Sequence, residues 1–125
     1  MKALLLVFLG GGVGSTIRYI IGKNLNDPNV NGFPWGTFMV NLIGSLIIGV
    51  IFGWALQKTK LSTDTILLVA VGFCGGFTTF SAFAFEGLAL IKNDQIALFL
   101  TYIIGSVVDG LICLWLGYQI VNLVY

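Results

Sequence analysis

The sequence contains no histidine, only two cysteines and two prolines, and just 9% charged residues among its 125 positions. Soluble domains carry about 25% charged residues, so the composition excludes a soluble globular domain. The lack of histidine, of a CxxC motif and of a nucleophile paired with a base argues against an enzyme. A net charge of +1 without a basic patch argues against a nucleic-acid partner. Cys74 and Cys113 lie far apart in apolar segments, which indicates small buried residues and not a disulfide framework.

Apolar residues are abundant instead, at 58% of the chain. A helix needs about 20 residues to cross the ~30 Å hydrocarbon core of a bilayer. Four segments have this length, at about residues 3–22, 35–56, 65–91 and 95–122. The first begins like a signal peptide, but its apolar pattern runs on to Ile21 without an AxA-like site. The sequence therefore predicts an all-α, multi-pass protein of the cell membrane, with one four-helix domain over residues 1–125 in contact with lipid.

The basic residues are balanced between the two sides of the predicted membrane domain. Positive charge normally collects in cytoplasmic loops and sets the orientation. Here one side carries Lys2, Lys58 and Lys60, and the other carries Arg18, Lys23 and Lys92. Two oppositely inserted copies can pair about a two-fold axis in the membrane plane. The balance favours an antiparallel, dual-topology dimer, with a single fixed orientation as the alternative; small-residue stripes in the spans also favour close helix contact.

The third span is interrupted in the middle of apolar sequence. Residues 72–86 read GFCGGFTTFSAFAFE, with Gly75-Gly76 followed by several hydroxyl side chains. Paired glycines disfavour a plain helix, and carbonyl groups freed inside a bilayer must be satisfied by protein, water or an ion. We therefore expect a break near residues 75–79, placed at Gly75-Gly76, and expect it to be the functional part of the chain.

Two kinds of side chain in the predicted spans admit two interpretations each. Asn41 is a polar amide in the second span, and either joins helices or donates to an anion, with Thr37 one turn away on the same face. Phe80 and Phe83 are three residues apart, and either pack in a core or turn their positive ring edges toward a small anion.

Other polar residues in the spans are candidates for the same pathway. Ser81 and Glu86 follow the break, and Tyr102 and Ser106 form a polar stripe on the fourth span. Ionisable residues inside a membrane mark pathways or partners, which applies to Glu86 and Asp109. Arg18 either attracts anions at a vestibule or extends to the membrane interface.

Three segments together resemble the Fluc family of fluoride channels, the CrcB-type proteins. They are GFCGGFTTFSAF at residues 72–83, VNLIG at 40–44 and GSTIR at 14–18. The resemblance covers nearly the whole chain. It implies an antiparallel dual-topology dimer with two separate pores, through which fluoride leaves the cytoplasm passively.

The resemblance also implies roles for individual residues. Asn41 would donate to fluoride, while the ring edges of Phe80 and Phe83 would flank it. A structural sodium ion would lie on the two-fold axis, held by the main-chain carbonyls of Gly75 and Thr78 from both subunits. Arg18 would lie near the aqueous vestibule. Further positions along or beside the pore would be Thr37, Ser81, Glu86, Tyr102 and Ser106.

The chain departs from the family pattern at Ala82, where threonine is usual, at Gly110, where many members have serine, and at Asp109. Some members pair as heterodimers of similar chains, but the retained Asn41, Phe80 and Phe83 favour a homodimer. A small proton-coupled multidrug exporter is an alternative, yet the first span lacks the membrane-embedded carboxylate that such a protein needs. A non-transport assembly subunit would leave Asn41 and the broken helix without a purpose.

Overall fold

Four long apolar helices form the protein in the computed structural model, which describes residues 1–27, 32–56 and 61–124. The four spans are Lys2–Leu25, Trp35–Leu56, Thr63–Lys92 and Ile96–Val124, and each is long and apolar enough to cross a membrane. No strand occurs in these described ranges. The predicted all-α class and the four spans are confirmed. Lys58 and Lys60, used in the charge count, lie outside the described residues.

The third span is a composite of several short pieces. It starts where the Ser62 hydroxyl accepts a hydrogen bond from the Thr65 N–H at 3.1 Å. A π-helical segment, Ile66–Cys74, leads into one α-helical turn, Gly75–Phe77. After two extended residues the chain resumes as the helix Phe80–Lys92. The predicted break is therefore present.

The break does not lie at the glycine pair, where we expected it. Gly75 keeps helical angles of φ −62° and ψ −36°, whereas Thr78 has ψ 158° and Thr79 has ψ 123°. β-Branched side chains tolerate extended backbone better than helix. The break therefore lies at the two threonines. Both glycines remain helical, and of the two only Gly76 approaches another helix, where a Cβ atom would collide with the Gly11 carbonyl.

Glycines bring the spans into backbone contact. A Cβ atom at Gly10 would collide with the Leu68 carbonyl, and one at Gly14 with the Phe73 carbonyl. These glycines seat the first helix against the first part of the third span. Gly49 and Gly117 similarly bring the second and fourth helices together over an extensive contact. Close approach at small residues is what drives helix association in lipid.

The ends of the spans alternate as a four-pass protein requires. Lys2 forms an ion pair with Asp64, so the first helix and the third span begin on the same side. The buried apolar core is small and centres on Phe38, Leu90 and Tyr102. Most other large apolar side chains are exposed, as expected for surfaces that meet lipid or another subunit.

Candidate functional site

Asn41 is bound to the broken part of the third span through both ends of its amide. Its Oδ1 accepts a hydrogen bond from the Thr79 N–H at 2.9 Å, and its Nδ2 donates to the Thr79 carbonyl at 3.2 Å. The helix-joining interpretation of Asn41 is therefore realised. A primary amide carries two N–H donors, so one hydrogen of Nδ2 remains after this pairing.

In a continuous helix, the carbonyls of Gly75 and Thr78 would accept hydrogen bonds from N–H groups four residues later. Both of those N–H groups donate elsewhere here. The Thr79 N–H, which would reach Gly75 four residues back, donates to Asn41 instead. The Ala82 N–H, which would reach Thr78, donates to the Thr79 hydroxyl at 3.2 Å. The carbonyls of Gly75 and Thr78 are thus released from the helical ladder.

The carbonyl of Gly76, unlike those of Gly75 and Thr78, has side-chain hydrogen-bond donors among the residues that the structure describes. It accepts hydrogen bonds from Arg18 Nε at 3.0 Å and from the Ser15 hydroxyl at 3.3 Å. Arg18 is half-buried and also lines a cavity of about 200 Å³ beside the break. The arginine therefore combines a structural contact with a position at a polar cavity. Sequence reasoning missed Ser15, although the residue lies in the GSTIR segment.

A larger cavity, of about 330 Å³, lies on the other side of the break. Asn41, Thr79, Phe80 and Phe83 line it, together with Ser45, Ile48, Thr78, Ser106 and Val107. The rings of Phe80 and Phe83 have centroids 5.7 Å apart, so the pair shares one wall. Phe80 is 79% exposed, which leaves this wall open toward the outside of the single chain.

Glu86 lies at the centre of a buried hydrogen-bond network. Its Oε1 accepts from Thr37 Oγ1 at 2.6 Å and from Asn26 Nδ2 at 2.9 Å, and its Oε2 accepts from the Tyr102 hydroxyl at 2.7 Å. Only 8% of Glu86 is exposed. The network borders the smaller cavity, and Thr79 lines both cavities. The structure thus brings Thr37, Glu86 and Tyr102 together, whereas Ser106, the other residue of the predicted fourth-span stripe, lines the larger cavity.

Asn26 was not predicted from the sequence as a residue of the site, because it lies in the polar connector after the first span. It ends the first helix, donates to Thr37 Oγ1 at 3.1 Å, and accepts from the Gly36 N–H at 2.7 Å. The available signal was its position at the end of the apolar run, two residues before Pro28, since asparagine in such connectors commonly bonds backbone groups.

The remaining candidates lie at the edges of this arrangement. Ser106 lines the larger cavity, and its buried hydroxyl has no hydrogen-bond partner among the described residues. Ser81 is exposed, with its hydroxyl 3.3 Å from that of Thr79. Asp109 is half-buried, and no ion pair to it occurs within the described ranges.

The chain is similar to known proteins over most of its length. Residues 5–118 match the family described as CrcB-like protein, Camphor Resistance (CrcB). The chain is 46% identical over 117 residues to the fluoride-specific ion channel FluC of Phocaeicola vulgatus, with 94% of this chain and 96% of that protein covered. Proteins of the same name from Bacteroides fragilis and Gloeothece citriformis are 42% and 44% identical, with 94% and 98% of both chains covered respectively.

Proposed function

Because this chain belongs to the CrcB-like family, we propose that it is a fluoride-selective channel through which fluoride leaves the cytoplasm passively. The observation that carries the proposal is the cavity where Asn41, Phe80 and Phe83 meet at the helix break. Residues of the second, third and fourth spans line this cavity, which combines amide, hydroxyl and aromatic groups. The name of the relatives, fluoride-specific ion channel, supports the choice of ion.

The chemistry of the cavity suits a small, strongly hydrated anion. A selective pore must replace the hydrogen bonds that water gives the ion. The second N–H of Asn41 provides one such donor, because the first is used by Thr79. The rings of Phe80 and Phe83 offer electropositive edges that attract an anion without binding it tightly.

Additional residues are proposed to extend the pathway on both sides of Asn41. Ser106 and Ser81 supply hydroxyls, while Thr37, Tyr102 and Glu86 form the bonded group beside the smaller cavity. Arg18 lines that cavity and would raise the local concentration of anions at a vestibule. We assign these residues to positions along or beside the pore.

An antiparallel homodimer with two pores is the proposed assembly. The exposed ring of Phe80 leaves the larger cavity open on one side, and a second copy would close it. The balance of three basic residues on each side of the membrane supports insertion in both orientations. Pairing with a similar but distinct chain is the alternative assembly, and coexpression of such a chain would reveal it.

A sodium ion is proposed at the centre of the dimer. The carbonyls of Gly75 and Thr78 are the two whose usual helical donors are diverted, to Asn41 and Thr79 respectively. Carbonyl oxygens are suitable ligands for a hard cation. Two copies related by a two-fold axis would supply both carbonyls twice. The positive charge of the ion would also stabilise an anion nearby.

Liposome efflux tests the proposed function. Purified protein is reconstituted into liposomes loaded with the potassium salts of fluoride and chloride. A potassium ionophore starts the efflux by balancing the charge that leaves with each anion, and the release of each anion is followed with its own electrode. We expect rapid loss of fluoride with retention of chloride. A well-folded dimer that releases no fluoride would contradict the channel assignment, and equal release of both anions would contradict the selectivity. Repeating the assay with sodium replaced by a bulky organic cation on both sides tests the sodium site, where we expect slower release.

A further inference from the structure

We propose that the Ser45 hydroxyl is an additional contact for the permeating anion, an inference that rests on the proposed channel function. Ser45 follows Asn41 by one helical turn, so its Cα lies about 6 Å further along the second helix. Both residues line the larger cavity. Ser45 therefore continues the line of donors beyond the amide, on the side of the break away from Glu86.

The hydroxyl of Ser45 is not used elsewhere in the fold. None of the hydrogen bonds made by the described residues involves it, and Ser45 is only half-buried at the cavity wall. A serine inside a helix usually satisfies its hydroxyl by bonding the carbonyl one turn back. An uncommitted hydroxyl at membrane depth is costly unless water or an ion reaches it.

The fourth helix provides a second hydroxyl in the same condition. Ser106 lines the same cavity, and its buried Oγ has no hydrogen-bond partner within the described ranges. Each serine hydroxyl carries one donor hydrogen. Two uncommitted donors from opposite helices, next to the Asn41 amide, together form a subsite for a small anion.

Gly110 leaves open the space beside Ser45. It follows Ser106 by one helical turn, and a Cβ atom placed on it would come within 3.8 Å of the Ser45 Oγ, which is ordinary van der Waals contact. A serine at position 110 would fit there and would bring a hydroxyl from the fourth helix to nearly the same place. Ser45 and position 110 are therefore interchangeable sources of one donor.

This interchange provides the test. In the liposome efflux assay, Ser45→Ala removes the hydroxyl and is expected to slow fluoride release about tenfold, as expected for loss of one hydrogen bond to a charged ligand. Ser45→Ala combined with Gly110→Ser is expected to recover most of the rate. The matched control is Thr101→Ala, because Thr101 is exposed and its hydroxyl bonds the Ala97 carbonyl of its own helix at 2.9 Å. The control is expected to match the unmodified protein.

The possible outcomes distinguish a failure of the channel function from a failure of the Ser45 assignment. If the unmodified protein releases no fluoride, the channel function fails and this inference fails with it. If it conducts and Ser45→Ala conducts equally well, only the role of Ser45 is overturned. A loss that Gly110→Ser does not recover would make Ser45 a packing residue and also overturn the inference. Size-exclusion chromatography checks folding. If Ser45→Ala aggregates, Ser45→Cys replaces it, because the slightly larger thiol keeps a polar atom at the position but is a weaker donor. This variant is expected to show the same loss and recovery.

Discussion

Asn41 and Thr79 form a reciprocal pair in which one amide side chain takes both hydrogen bonds of one peptide group. The Thr79 N–H donates to Asn41 Oδ1 at 2.9 Å, and Asn41 Nδ2 donates to the Thr79 carbonyl at 3.2 Å. The pair joins the second helix to the broken span and leaves one Nδ2 hydrogen of Asn41, a residue that also lines the larger cavity, as a donor for the proposed pathway. It therefore links the shape of the break to its proposed chemistry.

Replacing Asn41 by aspartate is expected to abolish fluoride efflux. The carboxylate would still accept from the Thr79 N–H, but it would repel both the Thr79 carbonyl and an approaching anion. Efflux from liposomes measures the effect. The matched control is Asn24→Asp, since the Asn24 amide is exposed and bonds only the Ile20 carbonyl of its own helix. Undiminished efflux from the Asn41 variant would remove this residue from the pathway.

Replacing Phe80 or Phe83 by isoleucine is expected to slow efflux, because isoleucine lacks an electropositive ring edge. The loss of roughly 1 kcal/mol of interaction corresponds to about a fivefold decrease in rate. Phe8→Ile is the control, since Phe8 is 74% exposed on the first helix, away from the break. If all three variants conduct alike, the two phenylalanines serve only in packing.

Replacing Asn26 by alanine is expected to lower the free energy of unfolding by about 1–3 kcal/mol. The change removes one donor to the buried Glu86 carboxylate and the acceptor of the Gly36 N–H. Thermal unfolding in detergent, followed by circular dichroism, measures the shift. Asn24→Ala removes an exposed amide of the same kind two residues earlier and should leave the melting temperature unchanged. Equal melting temperatures for both variants would contradict the bridging role of Asn26.

Replacing Gly10 by alanine is expected to lower the free energy of unfolding by about 1–3 kcal/mol or more, because the new methyl group meets the backbone of the third span. The methyl would collide with the Leu68 carbonyl and come within 2.8 Å of the Phe73 nitrogen. Gly12→Ala is the matched control, because a Cβ atom there meets nothing within 4 Å. The control is expected to keep or slightly raise the melting temperature, since alanine favours helix over glycine. A Gly10 variant as stable as the control would disprove the close packing of the first helix.

The positions of the spans could be predicted because they depend only on the length of the apolar run within each segment. A bilayer requires about 20 apolar residues per helix, and the polar connectors mark where each run ends. The predicted second span, 35–56, has the observed bounds, and the others differ by a few residues at their ends. The presence of a break was also readable, since glycines and hydroxyls interrupt the apolar run between residues 75 and 81.

The location and chemistry of the break could not be predicted in the same way. Local propensity pointed to the glycine pair, yet Gly75 is helical and the threonines that follow are extended. The difference arises because Asn41, 38 residues away in sequence, offers hydrogen bonds to the Thr79 backbone. A contact over that separation has no signature in the composition of either segment.

The same limit applies to the side chains that surround the break. The all-α class and the number of spans follow from residue types. The expectation that Asn41 needs a bonding partner follows from them too, because transfer of a polar group into lipid is costly wherever that group lies. The bonding of Asn26 to Glu86, the Arg18 contact with Gly76 and the space beside Ser45 depend on which faces of the helices meet. Helix packing sets those faces through close contacts at glycines, and only the folded chain reveals which donors remain uncommitted.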